Sequence, residues 1–399
     1  MFYPAYINLQ NRKCLVIGGG VVAERKVVSM LVSGGNVTLI SPNATELVIH
    51  LAKLGAICWL KRDFNTGDTE GFYLVCAATD ETDVNTSVYT EAVEKFNIRL
   101  VNVVDVIPQC TFAAASVVSD GEIMISISTS GMSPATSRRI REYFERTLNA
   151  SSLYTLGYVN DKPTPIKNQN LPYPVYFLLE NRKCIVIYDE MSEELIQKVN
   201  LLVNCGANID RIRSEDAEEL DFEDTFLVLT TDDNFVNSDY IEEFGFIIEN
   251  ISNPLNGSFY TPNIVFDDNL IISISTNNCI QTDKSIDLFD IISKQFTNNG
   301  YGRFIEFLGK IRPTVLNRFS SSKERADFFD NLIDFVDLNN DFEKNKDQII
   351  EQNEQKTIKC CLRLTDRNCT YSCLFNWICH GKTQHATDLV ESFLLSRIN

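Results

Sequence analysis

The chain is written twice. Tyr3-Pro4-Ala5-Tyr6-Ile7-Asn8-Leu9-Gln10-Asn11-Arg12-Lys13-Cys14 returns as Tyr173-Pro174-Val175-Tyr176-Phe177-Leu178-Leu179-Glu180-Asn181-Arg182-Lys183-Cys184. Further on, Ile125-Ser126-Ile127-Ser128-Thr129 returns as Ile272-Ser273-Ile274-Ser275-Thr276. A repeat of this length is a duplicated domain rather than one unit of a solenoid. The chain is therefore expected to build one fold twice. The copies diverge most where Val16-Ile17-Gly18-Gly19-Gly20 in the first meets Val186-Ile187-Tyr188-Asp189-Glu190 in the second.

Each copy alternates strand and helix patterns. In the first, Cys14 to Ile17, Asn36 to Ile40, Tyr73 to Ala78 and Arg99 to Val104 are short apolar, β-rich runs, and Ala23 to Leu31 has helical periodicity. Such alternation predicts a mostly parallel sheet covered on both faces. Ala113 to Ser128 reads as two more strands split by a turn at Ser119-Asp120-Gly121. Pro134 to Leu148 reads as a basic amphipathic helix with proline at its entry. The second copy keeps the strand runs Cys184 to Ile187 and Phe226 to Leu229, and Ile286 to Val336 is helical in pattern.

The 399 residues carry a net charge of −18, of which residues 1–150, with 13 Lys/Arg against 15 Asp/Glu, hold −2 and the remainder −16. An acidic second half argues against nucleic acid or an anionic membrane surface as partner, because phosphate binding needs clustered Lys and Arg. No apolar run approaches the roughly 20 residues of a membrane span. Met1-Phe2-Tyr3-Pro4 has no basic region leading into an apolar stretch. The expectation is a soluble, cytoplasmic protein whose 12 cysteines form no disulfide framework. Cys360, Cys361, Cys369, Cys373, Cys379, His380 and His385 crowd the tail, but their spacing is not that of paired C-x₂-C ligands, and no metal site is assigned there. His50, on an apolar helix-like stretch, is read as structural.

Gly18-Gly19-Gly20-Val21-Val22-Ala23 fits G-x-G-x-x-G/A between a strand and a helix. Glycines permit the tight turn, and a helix N-terminus offers N–H donors and a positive dipole end to a pyrophosphate. The acidic residue that usually closes the next strand is missing. Ser41-Pro42-Asn43 stands there instead, which leaves NAD and NADP both open on spacing. Asp105 ends the run Asn102-Val103-Val104-Asp105, at the sheet edge where ligands of parallel sheets bind. A general base and a loop carboxylate are both compatible with that position. Arg138, Arg139 and Arg141 suit a polycarboxylate ligand, because guanidinium forks pair carboxylates, and they equally suit a solvated helix face.

Taken in order, these motifs resemble the precorrin-2 dehydrogenase / sirohydrochlorin ferrochelatase family, the N-terminal module of siroheme synthase. The residues that carry the likeness are the N-terminal Tyr-Pro, Gly18 through Lys26, Ala77-Ala78-Thr79-Asp80, Asn102 through Asp105, and Ser128-Thr129-Ser130-Gly131-Met132-Ser133-Pro134 followed by Arg138-Arg139-Ile140-Arg141-Glu142. They span about residues 2–148. Tyr301 to Pro313 and Lys323 to Phe329 resemble the family's short helical C-terminal domain.

The resemblance implies NAD-dependent oxidation of precorrin-2 to sirohydrochlorin, followed in some members by Fe²⁺ insertion. It implies that Gly18, Gly19, Gly20, Val21 and Val22 hold the pyrophosphate, that Ser41, Pro42 and Asn43 hold the adenosine side, and that Thr79 and Asp80 lie near the nicotinamide. Asp105 matches the essential carboxylate. Ser128, Thr129, Ser133, Arg138, Arg139 and Arg141 are the substrate-binding candidates. The family forms homodimers whose active sites use the partner's dimerisation segment. Ser130 stands where the family usually has glycine, and Ala115 where it has proline.

The expected architecture is α/β. It comprises an NAD-binding Rossmann domain (1–115), a dimerisation-type segment (116–150), a linker (151–170), a degenerate Rossmann repeat (171–270), a dimerisation-type and helical domain (271–345), and a polar, Cys-rich tail (346–399). In the second copy Asn250-Ile251-Ser252-Asn253 is aligned with Asn102 to Asp105, and Asn277 to Gln281 replaces the Ser-Pro and Arg-rich segment. That copy is expected neither to bind NAD nor to catalyse, and to act as an intramolecular pseudo-dimer partner, with a homodimer as the other arrangement. A non-catalytic tetrapyrrole- or metal-binding scaffold is the alternative function.

Overall fold

Three short apolar strands of the first half show why the sheet forms. In β2 (Lys13–Ile17) every residue after Lys13 is buried, as are all of β5 (Leu74–Ala77) and β6 (Leu100–Val103). Continuous apolar runs of this kind belong to a parallel sheet covered on both faces. The structure, a computed structural model, describes residues 1–119, 123–148, 157–159, 162–164, 171–219, 221–237, 244–276, 283–333, 386 and 390.

The first half runs β1 (Tyr3–Ile7), β2, α1 (Val21–Val32), β3 (Asn36–Ile40), α2 (Glu46–Lys53), β4 (Cys58–Leu60), β5, α3 (Thr82–Thr90), β6, β7 (Phe112–Ala114), β8 (Ser116–Ser119), β9 (Ile123–Ser128) and α4 (Pro134–Thr147). Strands β4-β3-β2-β5-β6 form a five-stranded parallel sheet. Leu15, Ile17, Val75, Ala77, Val101 and Val103 from β2, β5 and β6 form one core cluster with Val88 and Ala92. Where two strands are expected between Ala113 and Ser128, the chain makes β7, β8 and β9.

The hairpin β10 (Gly157–Val159) and β11 (Lys162–Thr164) lies within the stretch expected to be a linker. The second half continues with β12 (Tyr173–Phe177), β13 (Lys183–Tyr188), α5 (Glu193–Asn204), β14 (Asn208–Arg213), β15 (Thr225–Thr230), β16 (Ile247–Asn250), β17 (Phe259–Tyr260), β18 (Asn263–Asp267) and β19 (Leu270–Thr276). Its parallel sheet has the order β14-β13-β15-β16, the first sheet's order without a counterpart of β4. Among the described residues the helices α6 (Asp283–Phe296), α7 (Tyr301–Arg318) and α8 (Ser322–Ile333) follow. The turn at Asp120-Gly121, the Asn277 to Gln281 segment and, apart from residues 386 and 390, the tail from 334 lie outside the described residues. Five of the cysteines, Cys14, Cys76, Cys110, Cys184 and Cys205, are buried thiols. Burial pushes Cys14 and Cys184 up to about 12.

Two compact units result. One comprises Met1–Ser126, Ser151–Asn263 and Ser273–Ser285, the other Ile127–Ala150, Ile264–Ile272 and Ile286–Asn399. Within the first unit the N-terminal strands change places. The antiparallel sheet β17-β1-β12-β7 pairs β1 with β17 of the second half and β12 with β7 of the first. The loop after each strand repeats the exchange, Asn8 N donating to Ser258 O at 2.9 Å and Leu178 N to Thr111 O at 2.9 Å. A chain of hydroxyls runs through the same unit. Ser126 Oγ and Ser273 Oγ lie 2.5 Å apart, Tyr176 Oη is 2.9 Å from Ser126 Oγ, and Tyr6 Oη is 3.3 Å from Ser273 Oγ. Burial pushes the Tyr6 phenol up to about 12, so it stays a neutral hydrogen-bonding group.

In the second unit, α4 and α6 meet through Phe144 and Phe296, whose ring centroids are 5.8 Å apart, and the Tyr301 ring packs tilted against Phe296 at 5.0 Å. Gly302, at the start of α7, admits Asp267: its N–H donates to Asp267 Oδ2 at 3.1 Å, and a Cβ there would stand 2.1 Å from Asp267 O.

Candidate functional site

The carboxyl ends of β2, β5 and β6 rise together at one edge of the first parallel sheet. Each loop leaving that edge is anchored by an amide to the strand beside it. Gly18 N donates to Ile40 O at 3.0 Å, Ala78 N to Ile17 O at 2.7 Å, and Val104 N to Ala77 O at 3.0 Å. The Gly18, Thr79 and Asp105 loops are thus neighbours on one rigid platform.

Gly18 has φ +109°, and a Cβ on it would lie 2.2 Å from Ala78 O. A Cβ on Gly19 would lie 1.8 Å from Asn43 O. Neither position accepts a side chain, because backbone fills the space. Gly20 differs: nothing lies within 4 Å of its would-be Cβ. It is the N-cap of α1 and supplies no side-chain acceptor to that helix. Val21 and Val22 are 57% and 43% exposed. The first turn of α1 therefore faces open space with amides lacking a side-chain cap and the positive end of its dipole, which suits an anion. This is the fit expected of a dinucleotide pyrophosphate.

The flanking candidates fall as follows. Ser41 is buried at the end of β3 and its carbonyl accepts from Trp59 Nε1 at 3.0 Å, whereas Pro42 and Asn43 are exposed. Thr79 is locked by Asn85, a residue that sequence reasoning missed. Asn85 Oδ1 accepts from Thr79 N at 3.2 Å and Thr79 Oγ1 at 2.8 Å, and Asn85 Nδ2 donates to Thr79 O at 2.9 Å. Nothing in the spacing marks Asn85 out, since it reads as one polar residue on a helix. Asp80 is exposed.

Asp105 is exposed, with φ +61°. The left-handed conformation costs a non-glycine residue about 1 kcal/mol, least for Asn and Asp. Strained residues of this kind gather at working sites. Val106 N closes the turn by donating to Val103 O at 3.4 Å.

The remaining candidates lie in the other unit. Thr129 Oγ1 accepts from Ser133 N at 3.2 Å, Ser128 Oγ from Ser130 N at 3.1 Å, and Ser133 Oγ from Thr136 N at 3.4 Å. All three hydroxyls serve the turn into α4. Ser130 takes φ +49°, in the left-handed region. Arg139 reaches Glu142 at 3.1 Å, Arg141 reaches Glu145 at 2.5 Å, and Arg138 pairs with Asp330. The arginines are held by carboxylates of their own unit.

The second half offers the same positions with different chemistry. Val101 N and O both bond Thr111, at 2.8 Å each through Thr111 Oγ1 and N. Ile248 N and O bond Ser258 in the same way, at 2.8 Å each. Val101 therefore corresponds to Ile248, and four residues on, Asp105 corresponds to Ser252. The ladders agree, Cys76 facing Asn102 as Leu229 faces Glu249. This corrects the alignment of Asn102 to Asp105 with Asn250 to Asn253 by one residue. Matching Asn to Asn had favoured the wrong register. The carboxylate of Asp105 becomes the Ser252 hydroxyl, and the Asn102 position gains a carboxylate, Glu249. Nor is φ positive at Ser252 or Asn253.

Residues 5–116 match a family described as "Putative NAD(P)-binding". The chain is 35% identical over 150 residues to siroheme synthase 1 of Serratia proteamaculans, which takes in 38% of this chain and 31% of that protein. It is 36% identical over 144 residues to siroheme synthase of Methylococcus capsulatus, or 36% of this chain and 30% of that one. The chain thus spans under a third of the length of these relatives. Among solved structures, the precorrin-2 dehydrogenase SirC aligns over 35% of this chain and 68% of its own, at 25% identity and a TM-score of 0.32.

Proposed function

We propose that this chain, whose N-terminal module belongs to the precorrin-2 dehydrogenase family found in siroheme synthases, oxidises precorrin-2 to sirohydrochlorin with NAD⁺. One observation carries the reading most of the way: an α1 N-terminus with no side-chain cap, and a strained, exposed Asp105, share one edge of a single parallel sheet. The bound nicotinamide would supply the hydride acceptor. The amides of α1's first turn would hold the pyrophosphate, and Ser41 and Asn43 would meet the adenosine ribose. Thr79, fixed by Asn85, would set the height of the loop beneath the nicotinamide. Asp105 would take the proton that leaves the tetrapyrrole as its hydride departs, so that two electrons and two hydrogens are accounted for.

The second half serves in this reading as an intramolecular partner. Its exchange of β1 and β12 with the first half is the contact expected of two subunits, made here within one chain. Fe²⁺, where it is inserted, is a further substrate.

The test is incubation of the full chain with precorrin-2 and NAD⁺. NADH and sirohydrochlorin should form in equal amounts, from a particle whose scattering mass is that of one 45.2 kDa chain. Precorrin-2 left unchanged would defeat the dehydrogenase reading, and a stable dimer would defeat the intramolecular one. Adding Fe²⁺ afterwards, with loss of the sirohydrochlorin spectrum, reads out metal insertion separately.

A further inference from the structure

Lys26 stands on the second turn of α1. It is half-buried, and among the described residues its ammonium makes no hydrogen bond or ion pair. A helical side chain leans toward the N-terminus of its helix. For Lys26 that direction is the end of α1 at the sheet edge that carries Asp105. The thiols of Cys76 and Cys110 report its charge: burial pushes both up, Cys76 to about 11, and the Lys26 ammonium offsets part of that push. Cys110 Sγ is itself 3.2 Å from Val103 O and 3.3 Å from Val106 O, inside the Asp105 turn.

The second half shows how such a lysine is satisfied without a ligand. Helices α1 and α5 correspond residue by residue. Glu24 N donates to Gly20 O as Ile196 N donates to Ser192 O, and Gly35 N to Met30 O as Ala207 N to Leu202 O. Lys26 therefore matches Lys198, and Gly20 matches Ser192. Lys198 is ion-paired with Glu249, the carboxylate standing where the first half has Asn102. Ser192 Oγ accepts from Leu195 N at 3.2 Å and caps α5. Both needs that the second half meets internally, an acceptor for the helix and an anion for the lysine, are left unmet in the first.

We propose that Lys26 is a ligand-binding residue of the first module, taking an anionic oxygen of the bound reactants: a phosphate oxygen of the dinucleotide or a carboxylate of the substrate. The inference rests on the dinucleotide reading above and names a residue that reading does not use. Glu249, seen this way, is a built-in replacement for the ligand that the second module has lost.

The test measures NAD⁺ dissociation constants calorimetrically, and the KM for precorrin-2 at saturating NAD⁺, on the full-length chain. Lys26→Met should weaken one of the two by about tenfold or more, the usual loss for a charge-assisted hydrogen bond, and Lys26→Arg should recover most of it. A raised constant for NAD⁺ identifies the phosphate as the ligand. A raised KM alone identifies the substrate carboxylate. Asn102→Glu, which copies the second half's ion pair, should weaken the same ligand, with circular dichroism and the melting temperature checking its fold. If that variant does not fold, Lys26→Met decides alone. Unchanged values for both ligands in Lys26→Met would overturn the proposal while leaving the dinucleotide reading intact. Failure of the unmutated chain to bind NAD⁺ would overturn both.

Discussion

Asp105→Asn should lower kcat by about 10²–10⁴-fold, the range a positioned general base contributes, while the melting temperature stays within a degree or two. Asparagine is the informative replacement because it tolerates the left-handed backbone at φ +61° as readily as aspartate does. The side chain is exposed, so replacing it disturbs no buried core. Asp105→Ala mixes two effects, since alanine at that φ adds about 1 kcal/mol of strain to the missing carboxylate. Steady-state kinetics with precorrin-2 and NAD⁺, set beside a thermal melt of the same preparation, checks this. More than half of normal turnover in Asp105→Asn would remove the residue from the chemistry.

The second large effect is on stability. Lys198→Met should cost about 3–5 kcal/mol, the range for breaking one side of a buried ion pair. Glu249 is fully buried, and its oxygens also accept from Thr261 N at 2.8 Å and Thr261 Oγ1 at 2.6 Å. Thr261 Oγ1 in turn accepts from Tyr3 Oη at 2.6 Å, which ties β1 into the network. Without Lys198 the carboxylate is left with neutral donors in a dry site. The double variant Lys198→Met/Glu249→Gln should recover most of the loss, because it removes the stranded charge. Chemical denaturation of the three proteins measures this, and a single variant as stable as the parent would show that the pair carries nothing.

The pH dependence follows from the same site. Burial alone would lower the Lys198 pKa, but the Glu249 and Glu194 carboxylates more than reverse that and hold it above the ordinary lysine value. A raised folded-state pKa means that the contribution is whole below the unfolded lysine pKa and is lost as pH rises through the folded one. On the alkaline side, the gap between parent and variant should therefore persist until strongly alkaline solution.

The parts of the fold that local pattern controls were readable in the chain. Asn36 to Ile40 is a strand with the predicted ends, and α1 and α4 begin within two residues of their expected starts, because an apolar run and a glycine or proline boundary are local signals. The strand exchange was not readable. Tyr6 and Tyr176 announce a repeat, but nothing local says that β1 will pair with β12 and β17. Pairing choice is settled by distant partners, and β-ladders carry no address in one strand alone. The register of the second half failed for a related reason: Asn102 and Asn250 look alike, yet the ladder and the Ser258 bonds place Glu249 opposite Leu229. At the candidate site, the glycine run stood out through spacing, whereas spacing left Asp105 open and the family resemblance singled it out. Asn85 and Lys26 did not stand out, because a polar residue on an amphipathic helix has an ordinary solvent-facing reading until its neighbours are known. The ion pairs of Arg138 with Glu142 and Arg141 with Glu145, each four residues along α4, were not read from the chain, where the arginines suited a ligand or a solvated face equally.

One working dinucleotide site is expected in a chain with two halves of like topology. Calorimetric titration of the full chain with NAD⁺ measures that number directly. One site per chain is expected, abolished or weakened by changes at Gly18 to Val22 and indifferent to changes at Tyr188 to Ser192. Two equivalent sites per chain, or a single site lost through the second half and not the first, would contradict it.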